Sequence, residues 1–416
     1  MNQLFQDIRQ AREDVESSIK RTQFVQSTTL SDLLSCQVFL KFENHQFTAS
    51  FKERGALNRI LSMSAEERTK GVIAASAGNH AQGLAYHANQ HGIRSVIVMP
   101  RIAPQVKVTH TRALGAEVVL YGDNFDEAYE HALLLAEKME LIFIHPYDDT
   151  KVIAGQGTIA IEMLEDVPNL DAILVPIGGG GLISGIATAA KAMNPEIKVY
   201  GVESACFNSM YAHINGVAPS FGSVTIADGI AVKEPGKLTS KIVSELVDGI
   251  FLVEEDEIEE AMLLLLEIEK TLVEGAGAIG LAALKKQTEL FQDKNVGLIL
   301  CGGNVDPLTL TAIIDRGMVK AGRLARLNVQ ITDMPGSLST VSKIFGECNA
   351  NIDEVHHQRT FTTLPIQTTE VAFSIKTRDH QHIEDIIRVL SEHGYAVTNL
   401  AHQTSLNKVE SILSPV

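Results

Sequence analysis

The sequence predicts an α/β protein whose parallel sheets are covered by helices, followed by a smaller domain with a different rhythm. Three observations carry this. Short apolar runs alternate with stretches of helical length between residues 71 and 144, the alternation resumes between 172 and 300, and near Gly322 it gives way to a strand, helix, strand, strand, helix, strand order. With 416 residues, 45% of them hydrophobic, the chain can bury a large core and form two or more domains of the usual roughly 100–200 residues.

Taken in order, residues 1–20 place Leu4, Ile8, Ala11, Val15 and Ile19 at helical spacing among charges, unlike the continuous apolar core of a secretory signal. A short strand at 37–42 leads into Ser50-Phe51-Lys52-Glu53-Arg54-Gly55-Ala56, from which a helix-compatible run continues. Residues 72–75 read as a buried strand, Ser76-Ala77-Gly78-Asn79-His80 as the turn after it, and 81–91 as the helix that the turn opens. Strands at 95–99, 117–120 and 141–144 alternate with helices ending near Gly115 and at 125–139. A second series has strands at 172–176, 197–203, 249–253 and 296–300, with helices at 182–193 and 257–271. The economical division is a core over 1–320 containing a smaller module at about 45–145, a linker at 321–325, and a βαββαβ, ferredoxin-like domain over 326–416.

Composition excludes several classes. Asp and Glu number 51 against 35 Lys and Arg, a net charge of −16 with no basic patch, which repels nucleic acid and anionic membranes. The longest conspicuous apolar run, 261–266, is far too short to span a bilayer. Cys36, Cys206, Cys301 and Cys348 are scattered, with no C-x-x-C pair and no zinc spacing, so a reducing, cytoplasmic setting and no bound metal are expected.

Four stretches carry chemistry. Lys52 stands at a helix start among small and aromatic neighbours, where a desolvated amine with a lowered pKa can attack a carbonyl to form a Schiff base. Gly178-Gly179-Gly180-Gly181, followed by Leu182, lies between a buried strand and a helix, so bare backbone and a helix dipole can face one phosphate. Ser76 to His80 repeats that strand-to-helix geometry with hydroxyl and amide side chains added, suiting a carboxylate. Cys301-Gly302-Gly303-Asn304 sits at the end of the last core strand, where ligands of open parallel sheets collect. A dinucleotide reading of the glycine run, with Glu203 as the ribose carboxylate, has Ser184 in place of its third glycine. His87 and His91 lack the glutamate of a zinc protease helix and read as an ordinary helix face.

In order and spacing, the Lys52 heptad, Ser76 to Gly83, Gly178 to Leu182 and Cys301 to Asn304 resemble the fold-type II pyridoxal-phosphate enzymes of the serine/threonine dehydratase family, over roughly residues 20–320. Asp333-Met334-Pro335-Gly336 resembles the ligand-binding turn of an ACT-like regulatory domain, an arrangement similar to the short biosynthetic members of that family. The resemblance implies a fold-type II core with two open parallel-sheet modules plus one ACT-like domain. It implies that Lys52 holds pyridoxal phosphate, that Gly178 to Leu182 hold its phosphate, Asn79 its ring hydroxyl oxygen, and Cys301 its ring nitrogen, a position often occupied by serine. Ser76, Ala77, Gly78, Asn79 and His80 would take the carboxylate of L-threonine, and Asp333 and Gly336 an effector, L-isoleucine, acting as an allosteric inhibitor. A homotetramer or homodimer is implied as well. The competing expectations are the same chemistry on L-serine, serine racemisation, a nicotinamide oxidoreductase, and a non-catalytic amino-acid sensor built on the ACT-like domain.

Overall fold

Strands covered on both faces must be apolar throughout, and the central ones are. The N-terminal strands are β1 (Phe24–Gln26), β2 (Gln37–Lys41), β3 (Val72–Ala75), β4 (Ser95–Met99), β5 (Glu117–Leu120), β6 (Ile142–Phe143), β7 (Ala172–Pro176), β8 (Lys198–Ser204), β9 (Gly249–Val253) and β10 (Asn295–Ile299). Every residue of β3, β4 and β7 is buried. The computed structural model describes residues 2–222, 224–359 and 364–400, so 401–416, assigned above to the C-terminal domain, lie outside the described residues.

Two sheets result. The smaller has the order β5-β4-β3-β6 and is parallel throughout, built from strands between residues 72 and 143. The larger has the order β1-β2-β10-β7-β8-β9 and is parallel except for the β1–β2 pair. Pairing of β2 with β10 brings the chain just after residue 41 beside the chain just after residue 299. The helix expected at 257–271 is shorter, Glu255–Leu264, and continues as a π-helical turn, Leu265–Glu269, that stops at Lys270 with φ 55°.

The chain divides into two compact units at Asp306/Pro307, ahead of the helix Pro307–Lys320 rather than after it at 320. Bonds between residues distant in sequence tie this stretch to the C-terminal unit: His380 Nε2 donates to the Lys320 carbonyl at 2.9 Å and Thr377 Oγ1 to the Gly322 carbonyl at 2.6 Å. The C-terminal unit contains β11 (Leu324–Thr332), β12 (Asn351–Gln358), β13 (Thr368–Lys376) and β14 (Ala396–Asn399) in the antiparallel order β12-β13-β11-β14. Leu327, Val329, Ile331, Val371, Phe373 and Ile375 alternate along β11 and β13, all buried with residues of the helices Ser337–Glu347 and His380–Glu392.

Within the N-terminal unit, the helix Lys52–Leu61 is locked by close packing and by buried charge. A Cβ on Gly155, in the helix Thr150–Asp166, would fall 2.5 Å from the Arg54 carbonyl oxygen, so the two backbones touch. The fully buried Arg54 donates through Nε and Nη2 to Glu43 at 2.8 Å each, and through Nη1 to Glu162 at 2.7 Å. Lys41 completes the set by pairing with Glu162, leaving two cations facing two carboxylates. Because removing one partner strands the others without water, Arg54→Met should lower the unfolding free energy by about 3–5 kcal/mol, measured by denaturant titration. A loss below about 1 kcal/mol, the value of an exposed pair, would contradict this account.

Candidate active site

The Lys52 heptad is held by the end of β10. Ser50 pairs with Gly302 in an antiparallel bridge, and the Phe51 N–H donates to the Cys301 carbonyl at 3.0 Å. Lys52 is the first residue of its helix, and its N–H, which has no helical acceptor, donates to Ser50 Oγ at 3.3 Å. Its Nζ donates to the Pro146 carbonyl at 2.9 Å and lies 5.2 Å from the centroid of the Phe51 ring. Desolvation lowers the Lys52 pKa to about 8, with Cys301 and Glu274 opposing that shift.

The loop from Ser76 to His80 follows β3. Ser76 Oγ accepts the Gly78 N–H at 3.2 Å, no side chain caps the helix Asn79–Gln90, and a Cβ on Gly78 would meet nothing within 4 Å. The helix start therefore opens onto free space between Ser76, Ala77 and Asn79. The ring of His80 turns away from it: Nε2 donates to the Ile144 carbonyl at 3.1 Å, and burial, with Lys52 next in weight, pushes its pKa to about 3. Asn79 sits in a relay. Asn304 Nδ2 donates to Asn79 Oδ1 at 2.8 Å, and Asn79 Nδ2 donates to Glu274 Oε1 at 2.7 Å.

The glycine turn is close-packed on one side. Gly180 has φ +91°, and a Cβ on Gly179 or Gly181 would lie 2.3 Å or 2.9 Å from Tyr147. Gly178 abuts Ile230, Leu182 is buried, and Thr239 Oγ1 anchors the Gly179 carbonyl at 2.6 Å. No side chain caps the helix Gly181–Met193, so its first N–H groups are left for a ligand. The turn joins Lys52 through Pro146 and Tyr147, while Asn79 joins it through Glu274, Gly302, Cys301 and Phe51. Cys301 is buried, and burial followed by Glu274 pushes its thiol well above the usual range, so it stays protonated.

An amine held near neutrality, a neutral thiol, a carboxamide donor and an uncapped glycine helix start are the donor set that pyridoxal phosphate needs, and the residues fit it. Sequence reasoning missed Glu274, Pro146 and Tyr147. A carboxylate directly ahead of the small-residue run Gly275-Ala276-Gly277-Ala278 was the available signal for Glu274. Glu203 is a cap: its oxygens accept the Met210 and Tyr211 N–H groups at 3.0 and 2.8 Å. His87, expected on an ordinary helix face, is buried 3.5 Å from Glu53. In the C-terminal unit Asp333 is engaged by Arg359 at 3.1 Å, and Gly336, φ +93°, precedes the helix Ser337–Glu347. Among the described residues no helix is long and apolar enough to cross a membrane.

Residues 15–302 match the family described as pyridoxal-phosphate dependent enzyme. The chain is 46% identical to an L-threonine ammonia-lyase of Thermotoga maritima, over 94% of this chain and 98% of that one. Its fold is similar to that of the processed form of threonine deaminase isoform 2 from Solanum lycopersicum, with a TM-score of 0.72 and 38% identity over 76% of this chain and 89% of the other. It is also similar to maize serine racemase, with a TM-score of 0.70 and 36% identity over 76% of this chain and 98% of that one.

The lowered Lys52 pKa has a kinetic consequence, since only the neutral amine attacks an aldehyde. Capture of pyridoxal phosphate by cofactor-free protein should accelerate with pH to a midpoint of about 8 and level off above it, followed by absorbance. A midpoint at 10.5, the ordinary value for lysine, would show a solvated amine.

Proposed function

This chain belongs to the pyridoxal-phosphate-dependent enzyme family, and on that premise we propose that it deaminates L-threonine to 2-oxobutanoate and ammonia at Lys52. The observation that supports this most strongly is the Lys52 amine, desolvated to a pKa of about 8 between the glycine turn and the Asn79 relay. Threonine is favoured over serine because the L-threonine ammonia-lyase relative is 46% identical over 94% of this chain, C-terminal unit included.

When bound, pyridoxal phosphate supplies the electron sink for the bond broken at the substrate α-carbon. The chain's own groups do the rest. Lys52 Nζ would hold the cofactor and, once the substrate amine has displaced it, would take the α-proton, its lowered pKa leaving more neutral amine than an ordinary lysine has. Gly178, Gly179, Gly180, Gly181 and Leu182 offer backbone N–H groups and the positive end of a helix dipole to the phosphate. Asn79 offers the amide N–H that its relay leaves free to the ring oxygen. Cys301, a neutral thiol, would face the ring nitrogen without enforcing a protonated ring, and the weaker electron draw would favour prompt β-elimination. Ser76, Ala77, Gly78 and the start of the helix Asn79–Gln90 take the substrate carboxylate; His80, its ring committed to Ile144, contributes only backbone there.

The C-terminal unit gives this activity its control. L-Isoleucine binds at the turn containing Asp333 and Gly336, where Arg359 orients the Asp333 carboxylate, and inhibits the first step of its own synthesis. The enzyme is cytoplasmic and works as a homodimer or homotetramer.

Two measurements test this. Lys52→Ala should lose on the order of 10³-fold or more in threonine turnover, and full activity would refute the mechanism. Turnover of L-threonine should exceed that of L-serine and fall when isoleucine is added; preference for serine with indifference to isoleucine would overturn the assignment.

A further inference from the structure

We propose that Glu274 is a positioning residue whose buried carboxylate fixes the direction in which the Asn79 carboxamide faces, and so presents an N–H rather than a carbonyl to the cofactor ring. This rests on the reading that Asn79 meets the ring oxygen. A carboxamide has nearly the same shape either way round, so only its partners decide which end is the donor. With Glu274 ionised, the partners of Asn79 leave no choice. On one side stands Asn304 Nδ2, which only donates, at 2.8 Å; on the other stands Glu274 Oε1, an acceptor, at 2.7 Å. Turning the amide over would set nitrogen against nitrogen and oxygen against carboxylate. One Asn79 N–H is used on Glu274 and the other is left for the ring.

Glu274 is itself held rigidly. It immediately precedes the helix Gly275–Lys286, its N–H donates to the Gly302 carbonyl at 3.0 Å, and a Cβ on Gly302 would fall 2.2 Å from its Oε1. Its side chain does not cap that helix, and among the described residues it forms no ion pair. Burial, with Asp228 next, pushes its pKa up to about 7 against the lowering effect of the Asn79 hydrogen bond, Lys107 and the Asn304 backbone; Lys52 and Cys301 in turn sense its charge. A carboxyl kept buried without a cation is costly. Packing alone would be served better by an apolar side chain, whereas orienting an amide requires an acceptor.

The test uses the full chain loaded with pyridoxal phosphate, as wild type, Glu274→Gln, Asn79→Ala and the double variant. Five quantities are read: the cofactor absorbance band, the cofactor dissociation constant, kcat and KM for L-threonine, and the unfolding midpoint without cofactor. Glutamine can present either an oxygen or an NH₂ group to Asn79, so it no longer enforces one orientation. Glu274→Gln should shift the absorbance band and lower kcat about 10- to 100-fold, with KM changed less than about threefold and the unfolding midpoint kept. Adding Glu274→Gln to Asn79→Ala should cost less than about twofold more, because the group being oriented is already gone. Losses that multiply in the double variant, or an unchanged band and kcat in Glu274→Gln, overturn the proposal. Should Glu274→Gln not fold, Glu274→Asp, which keeps the acceptor but withdraws it by one methylene, completes the same cycle under the same criteria. A wild-type protein that neither binds the cofactor nor deaminates threonine would instead sink the parent reading.

Discussion

Arg54 lies two residues beyond Lys52 and cannot move without leaving Glu43 without its ion-pair partner and Glu162 with Lys41 alone, both carboxylates being buried. Those partners come from distant parts of the chain: Lys41 from β2, Glu43 from the turn after it, and Glu162 from the helix Thr150–Asp166. A buried cluster of two cations and two anions is poor value as stabilisation, since apolar packing of equal volume often does as well. What it provides is a single register. The helix Lys52–Leu61 can sit in one place only, and the reactive amine at its first residue is fixed with it.

The same burial sets the chemistry of the pocket. Four titratable groups surround it, and each is pushed towards its neutral form: Lys52 down to about 8, His80 down to about 3, Glu274 up to about 7, and Cys301 well up. The protein brings little net charge of its own to the site. Negative charge entering with a phosphate or a substrate carboxylate meets two uncapped helix starts, at Asn79 and Gly181, whose N–H groups and dipoles do not titrate. On the proposed reading, fixed dipoles hold the anions and the amine with the lowered pKa carries the proton.

Much of this was legible in the sequence, for a physical reason. Lys52, the glycine turn, the Ser76 loop and Cys301 all sit where a strand ends or a helix begins, and such junctions are marked locally by glycine and by a change of apolar period. Glu274 was marked only by the small-residue run after it, and Tyr147 and Pro146 by nothing, because each owes its role to contacts across the fold. Tyr147 matters because Gly179 and Gly181 leave it room, and Glu274 matters because β2 and β10 pair, bringing Gly302 against Ser50. The division at Asp306/Pro307 lies ahead of the change of rhythm near Gly322 for a related reason: that change is local, whereas the bonds joining Lys320 and Gly322 to His380 and Thr377 are not.

The central claim is that Lys52, and no other lysine, holds the cofactor. Borohydride reduction of the pyridoxal-phosphate-loaded protein, followed by proteolysis and peptide mass measurement, tests it directly. The account predicts one phosphopyridoxyl adduct, on the peptide containing Lys52. An adduct confined to another lysine, such as Lys107 or Lys233, or no adduct at all in protein that turns over threonine, would contradict it.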